Sequence, residues 1–280
     1  MKCGAVKYSV LSVLGLAVTG YLAAVAYMYV KQDALTFPAA QTDYIETTVY
    51  NRADATPLRI PSATDGVTLS GVHFKSTAPE APLYLLYGGN QHDVVNFSRY
   101  MFDVQTKQQA NVIGMYYRGY GPAGFASEGE PSQQALYADA LAVFDFVRPM
   151  FGGKVTLVGY SLGTSVATYV AANRIADKVI LLGPFDKITE VAKQSYGWLP
   201  VDLLMKNKFP TVEYMPKVEE PVGIIVGKED TLIPNRLSKN LADVTPNLFA
   251  YVALPGVNHG ELVTAKTAEE ALLELVTRQQ

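Results

Sequence analysis

The sequence predicts an α/β domain, a mostly parallel central sheet flanked by helices, behind an N-terminal transmembrane helix. Three observations carry this. Six short apolar runs without alternation, at 83–87, 112–117, 155–159, 178–182, 222–226 and 249–254, suit strands buried on both faces of a parallel sheet. Segments with helical spacing of apolar residues lie between many of them, the βαβ rhythm of a doubly wound sheet. Residues 8–30 contain no charge, and at 1.5 Å per residue they reach roughly 34 Å, enough to cross a hydrocarbon core of about 30 Å.

The first element is that apolar stretch. Lys2 and Lys7 precede it, and Lys31 beside Asp33 follows. The excess of positive charge on the amino-terminal side places residues 1–7 in the cytoplasm as a short tail. It sends 31–280 across the membrane, to a periplasmic, extracellular or lumenal side. A cleaved signal peptide is the alternative, because Ala24-Val25-Ala26 has the small-x-small form of a cleavage site, and it would leave a secreted protein. The apolar run continues through Tyr27, Met28, Tyr29 and Val30, which favours an uncleaved anchor over 8–30.

About 250 residues follow, the size of one α/β domain. Asp65-Gly66 reads as a hairpin turn, so the domain opens with antiparallel strands. Residues 132–150 carry Leu136, Ala140, Val143, Phe144 and Val147 at helical spacing, with Ser132 after Pro131 as the N-cap. Residues 161–175, 237–244 and 267–276 read as further helices. In such a sheet, ligands bind at the carboxyl ends of the strands.

Composition narrows the function classes. With 49% hydrophobic and 18% charged residues among 280, the chain is folded rather than disordered. A net charge of −3, from 23 Lys and Arg against 26 Asp and Glu, leaves no basic footprint for a nucleic-acid partner. One Cys forms no internal disulfide, and with three scattered His it offers no metal-ligand cluster, so no metal or cofactor is expected. Removing the anchor leaves about 46% apolar residues, ordinary for a soluble domain.

The chemistry follows the strand run at 155–159. Gly159-Tyr160-Ser161-Leu162-Gly163 is a G-x-S-x-G turn between a strand and a helix, where Gly159 and Gly163 permit a tight elbow that exposes Ser161. A serine needs a base. His73 lies in an early strand and His92 in a loop of the amino-terminal half, whereas His259 sits in the loop after the last strand. The strand at 222–226 is followed by Glu229 and Asp230, of which Asp230 is the preferred partner for the His259 ring. The oxyanion donors expected are the backbone N–H of Leu162 and that of Asn90, in the loop Gly88-Gly89-Asn90-Gln91.

With these residues in the order Ser161, Asp230, His259, the chain resembles the α/β-hydrolase superfamily. Within it the chain looks like the small membrane-anchored α/β-hydrolase-domain proteins grouped with the serine aminopeptidase-like hydrolases. Tyr117-Arg118-Gly119-Tyr120-Gly121, Gly129-Glu130-Pro131-Ser132, Leu136-Tyr137-Ala138-Asp139-Ala140 and Leu199-Pro200-Val201-Asp202-Leu203-Leu204 carry the likeness over roughly residues 30 to 278. Members usually have His-Gly-Asn in the first oxyanion loop; here Gly88 replaces the His. Residues 184–220 fall where the superfamily places its cap, short and rich in apolar and aromatic side chains.

The expected function is a serine hydrolase of carboxylic esters or thioesters, acting on a small-molecule or lipid-like acyl substrate through an acyl-enzyme. A serine peptidase of the aminopeptidase-like type is the nearest alternative. A catalytically silent binding protein on the same fold is the third.

Overall fold

The computed structural model describes residues 2–38, 55–62, 65–91, 94, 97–98, 101, 110–122 and 124–278, with side chains from residue 12. Helix α1 (Lys2–Thr36) runs unbroken through both the expected tail and the anchor. It stops two residues before Pro38, whose ring disfavours helix in the preceding residue, and Phe37 N–H closes its last turn on Asp33 O at 2.8 Å. Its stretch Ser12–Thr36 is long and apolar enough to cross a membrane, and its most apolar window is not buried against the rest of the protein.

Eight strands form one sheet in the order β1-β2-β4-β3-β5-β6-β7-β8. Strands β1 (Ala55–Pro61) and β2 (Thr68–Phe74) pair antiparallel, as does β2 with β4 (Asn111–Met115). Strands β3 (Leu83–Tyr87), β5 (Val155–Tyr160), β6 (Lys178–Leu182), β7 (Val222–Gly227) and β8 (Leu248–Leu254) complete a parallel body with β4. The hairpin around Asp65-Gly66 is wider than a two-residue turn, since Pro61 pairs with Thr68 and Ser62 N–H closes the loop on Val67 O at 2.7 Å. Every residue of β3, β4, β5, β6 and β7 is buried, which is why their sequences show no alternation. The run at 112–117 is the one that overshoots: β4 ends at Met115, and Tyr116 and Tyr117 leave the sheet still largely buried.

Helix α2 (Gln133–Val147) starts at Ser132, whose hydroxyl accepts from Ala135 N–H at 3.1 Å. Helix α3 (Leu162–Ala171) packs on the sheet through small buried residues, among them Thr164, Ser165 and Ala167. Between β6 and β7 lie three short helices, α4 (Ile188–Tyr196), α5 (Val201–Leu204) and α6 (Thr211–Tyr214). Phe209 and Tyr214 from this segment pack edge-on against Tyr137 of α2, which stacks on Tyr169 of α3 at a centroid distance of 4.0 Å. Helix α7 (Asn235–Asp243) and helix α8 (Lys266–Thr277) close the chain. Lys178, at the start of β6, is 8% exposed and sends its ammonium to the carbonyls of Leu275, Val276 and Arg278 at the end of α8.

Candidate active site

The chain leaves β5 and enters α3 through Ser161, whose φ of 52° and ψ of −119° lie where side chains rarely go. Neighbouring backbone forces the turn. A Cβ on Gly163 would stand 2.0 Å from Tyr87 O, and one on Gly159 2.5 Å from Gly163 O. Ser161 N–H donates to Leu182 O at 2.9 Å, tying the elbow to β6. The Thr164 N–H and hydroxyl both donate to Ser161 O, at 2.9 and 2.6 Å.

Ser161, Asp230 and His259, taken from three loops at the carboxyl ends of β5, β7 and β8, meet here. Ser161 Oγ lies 2.9 Å from His259 Nε2, and Asp230 Oδ2 lies 2.7 Å from His259 Nδ1. Because the carboxylate accepts, the proton of the neutral ring sits on Nδ1 and leaves Nε2 free to receive the serine proton. The other carboxylate oxygen, Asp230 Oδ1, accepts from the N–H groups of Leu232 at 3.0 Å and Ile233 at 2.8 Å, which fixes its rotation. Asp230 has a side chain only 1% exposed, whereas Glu229 is exposed, so the choice between adjacent carboxylates is settled by direction of the turn. Tyr160 stacks on the imidazole, with centroids 5.2 Å apart, and donates its hydroxyl to His259 O at 3.1 Å. Burial first, and the Asp230 carboxylate second, push the Tyr160 phenol well above its ordinary pKa, so it remains a neutral donor.

Leu162 is the first residue of α3, and the loop carrying Asn90 runs alongside the elbow: a Cβ on Gly89 would meet the Ser161 Cβ at 3.3 Å. Two tyrosines hold this loop, a role no sequence pattern announced. Tyr117 donates its hydroxyl to Gly88 O at 2.8 Å, and Tyr120 donates to Asn90 O at 2.7 Å. Burial raises both phenols far above the working pH range. The Tyr117-Arg118-Gly119-Tyr120 turn is itself anchored by Arg118, which bonds Asp139 at 2.6 and 2.8 Å and Asp65 at 2.5 Å. His73 is remote, buried in β2 with Nε2 donating to Asn111 Oδ1 at 2.9 Å, and burial lowers its pKa. His92 lies outside the described residues. Among the described residues no group of three His, Cys, Asp or Glu side chains is placed to hold a metal.

A strained serine, a base in the right tautomer and a buried carboxylate on the carboxyl edge of a mostly parallel sheet define a serine hydrolase. An uncharacterised protein of Mycobacterium tuberculosis (strain H37Rv) is 31% identical to this chain over 220 residues, covering 76% of each. The lysophosphatidylserine lipase ABHD12 of Danio rerio is 30% identical over 164 residues, 51% of this chain and 42% of that one. Among solved structures, an esterase from Pyrococcus furiosus superposes with a TM-score of 0.66 at 16% identity, covering 84% of this chain and 94% of the esterase. No family model matches the chain. The chain has the α/β-hydrolase fold, and the Mycobacterium tuberculosis protein is its relative over three quarters of either length.

Proposed function

We propose that the protein is a membrane-anchored serine esterase that cleaves carboxylic esters or thioesters of acyl or lipid-like substrates. The observation that carries this reading is the continuous Ser161–His259–Asp230 hydrogen-bond chain, 2.9 and 2.7 Å long, on a strained elbow. Ser161 Oγ attacks the acyl carbonyl while His259 Nε2 takes its proton, and Asp230 stabilises the imidazolium that forms. The tetrahedral oxyanion is received by the backbone N–H of Leu162, at the positive end of α3, and by that of Asn90. The carbonyl oxygen re-forms as the leaving alcohol or thiol departs with the His259 proton, and water then releases the acyl group by the same route.

The finer assignment, to the small membrane-anchored proteins of the serine aminopeptidase-like group, belongs to this proposal, as does the role of residues 184–220 as a cap. Acyl esters are preferred over peptides because the Danio rerio relative is a lipase by name and, among the described residues, no Asp or Glu lines the cavity that Asn90 and Leu232 border. A silent binding protein would have no need of the strained Ser161 or its aligned base. The test uses a fluorophosphonate probe, p-nitrophenyl acyl esters and aminoacyl amides. Ser161 is expected to be labelled, esters to be cleaved in preference to amides, and Ser161→Ala to lose labelling and turnover by a factor of about 10⁶. Folded wild-type protein that takes no label would defeat the reading.

A further inference from the structure

Helix α1 lies along the segment between β6 and β7, and the contact is specific. Tyr21, Val25, Met28, Gln32 and Leu35 recur at intervals of four and three, the spacing of one helix face. Tyr21 meets Trp198 edge-on with ring centroids 6.1 Å apart. Gln32 binds both ways, its Nε2 donating to Leu204 O at 3.1 Å and its Oε1 accepting from Lys206 N–H at 2.8 Å. Asp33 accepts from Asn207 Nδ2 at 2.8 Å and pairs with the Lys206 ammonium at 3.3 Å.

Beside these contacts lies a half-open cavity of about 250 Å³. Met28, Gln32, Leu35 and Thr36 of α1 form one wall, and Val191 and Leu199 stand in the opposite one. Its remaining boundary is made by Asn90 and Leu232. Both belong to the catalytic loops: Asn90 follows Gly89, which abuts Ser161, and Leu232 N–H bonds the Asp230 carboxylate. The polar ends of Gln32 and Thr36 are already engaged, Thr36 Oγ1 donating to Gln32 O at 2.8 Å, so the α1 wall presents mainly apolar surface.

We propose that this cavity receives the acyl chain of a single-chain ester drawn from the membrane, so that α1 is a wall of the substrate site as well as a tether. The inference rests on the esterase reading. With about 30 Å³ for a water-sized group, the volume suits on the order of eight chain carbons, one medium-length chain and not two. The wall supplied by α1 belongs to the same helix as the membrane-crossing stretch, so the cavity lies directly beside the path into the bilayer. Trp198 and Leu203 are 56% and 82% exposed on the same segment as the opposite wall, and Trp198 touches α1 at Tyr21. Because Tyr21 lies inside the 8–30 stretch, side chains at that place would meet the acyl region of a bilayer, where apolar and aromatic surface is at home.

The test uses the full chain in phosphatidylcholine vesicles and p-nitrophenyl esters from acetate through decanoate to palmitate, reading kcat/KM. Wild-type protein should favour decanoate over both acetate and palmitate. Leu35→Trp, which fills the cavity from α1, should lower the decanoate-to-acetate ratio about tenfold, the equivalent of roughly two methylenes left unburied. Val191→Trp should do the same from the other wall, and Ala192→Leu is a gentler filling if either variant loses fluorophosphonate labelling. Val30→Trp, on the outer face of α1 and 71% exposed, should keep the wild-type ratio. An unchanged ratio in labelled Leu35→Trp and Ala192→Leu, or an equal shift in Val30→Trp, overturns the proposal while leaving the esterase reading standing. Wild-type protein that neither takes label nor cleaves any ester removes both.

Discussion

Tyr120 shows how much of the site depends on groups that never touch substrate. Its hydroxyl holds Asn90 O, and Asn90 N–H is the proposed second oxyanion donor, so the phenol sets the angle of the peptide that must meet the developing charge. Tyr120→Phe is expected to lower kcat about tenfold with little change in KM, a part of the roughly 10²–10³ lost when such a donor is removed outright. Steady-state kinetics on a p-nitrophenyl ester decide it: a kcat within about twofold of wild type would show that the loop holds its shape unaided. Ser161 and His259 were legible in the sequence because an elbow needs its glycines and only three His were available. The tyrosine clamp was not, because a hydroxyl reaching a carbonyl 29 or 30 residues away leaves no local pattern. Gly88 stands where the resembled family usually has His, and Tyr117 and Tyr120 grip that loop from outside it.

At the scale of elements, strands were read most accurately where burial on both faces made the sequence uniformly apolar. The β6 range was read without error, and β4 was overrun because Tyr116 and Tyr117 stay largely buried after they leave the sheet. The same uniformity hid the packing of α1. A run apolar all round shows no contrast between faces, so nothing marked the stripe from Tyr21 to Leu35 as the side that meets another element. Lys178 illustrates a tie of a third kind. A strand lysine in an apolar run reads as an interruption, but its ammonium caps three carbonyls at the end of α8, where the helix dipole favours a cation. Lys178→Met keeps most of the apolar stem and removes those bonds. It should cost about 2 kcal/mol, or roughly 4–8 °C in melting temperature, with fluorophosphonate labelling retained below the transition. A melting curve that overlays the wild type would mean that water serves the α8 carbonyls equally well.

At the scale of the whole molecule, the question is which side of the membrane the hydrolase domain occupies, because a lipid substrate must be present in the leaflet the site faces. The proposed orientation follows from Lys2, Lys7 and the uncharged 8–30 run: residues 1–7 remain cytoplasmic, and the domain stands on the far side. The contacts of α1 with Trp198, Leu204 and Asn207 give an uncleaved helix a structural role, since cleavage after Ala26 would discard the Tyr21–Trp198 contact. The sequence supplies its own reporter, because Cys3 is the only cysteine in the chain. In intact cells, a membrane-impermeant maleimide should leave Cys3 unlabelled, while protease added outside, after removal of any outer barrier, should digest the hydrolase domain. Detergent should then expose Cys3 to the maleimide. Labelling of intact cells with the domain protected would reverse the orientation and put the site on the cytoplasmic leaflet. A mature protein without any thiol in detergent would show that the segment is a cleaved signal, and the wall that α1 lends to the cavity would then begin no earlier than Tyr27.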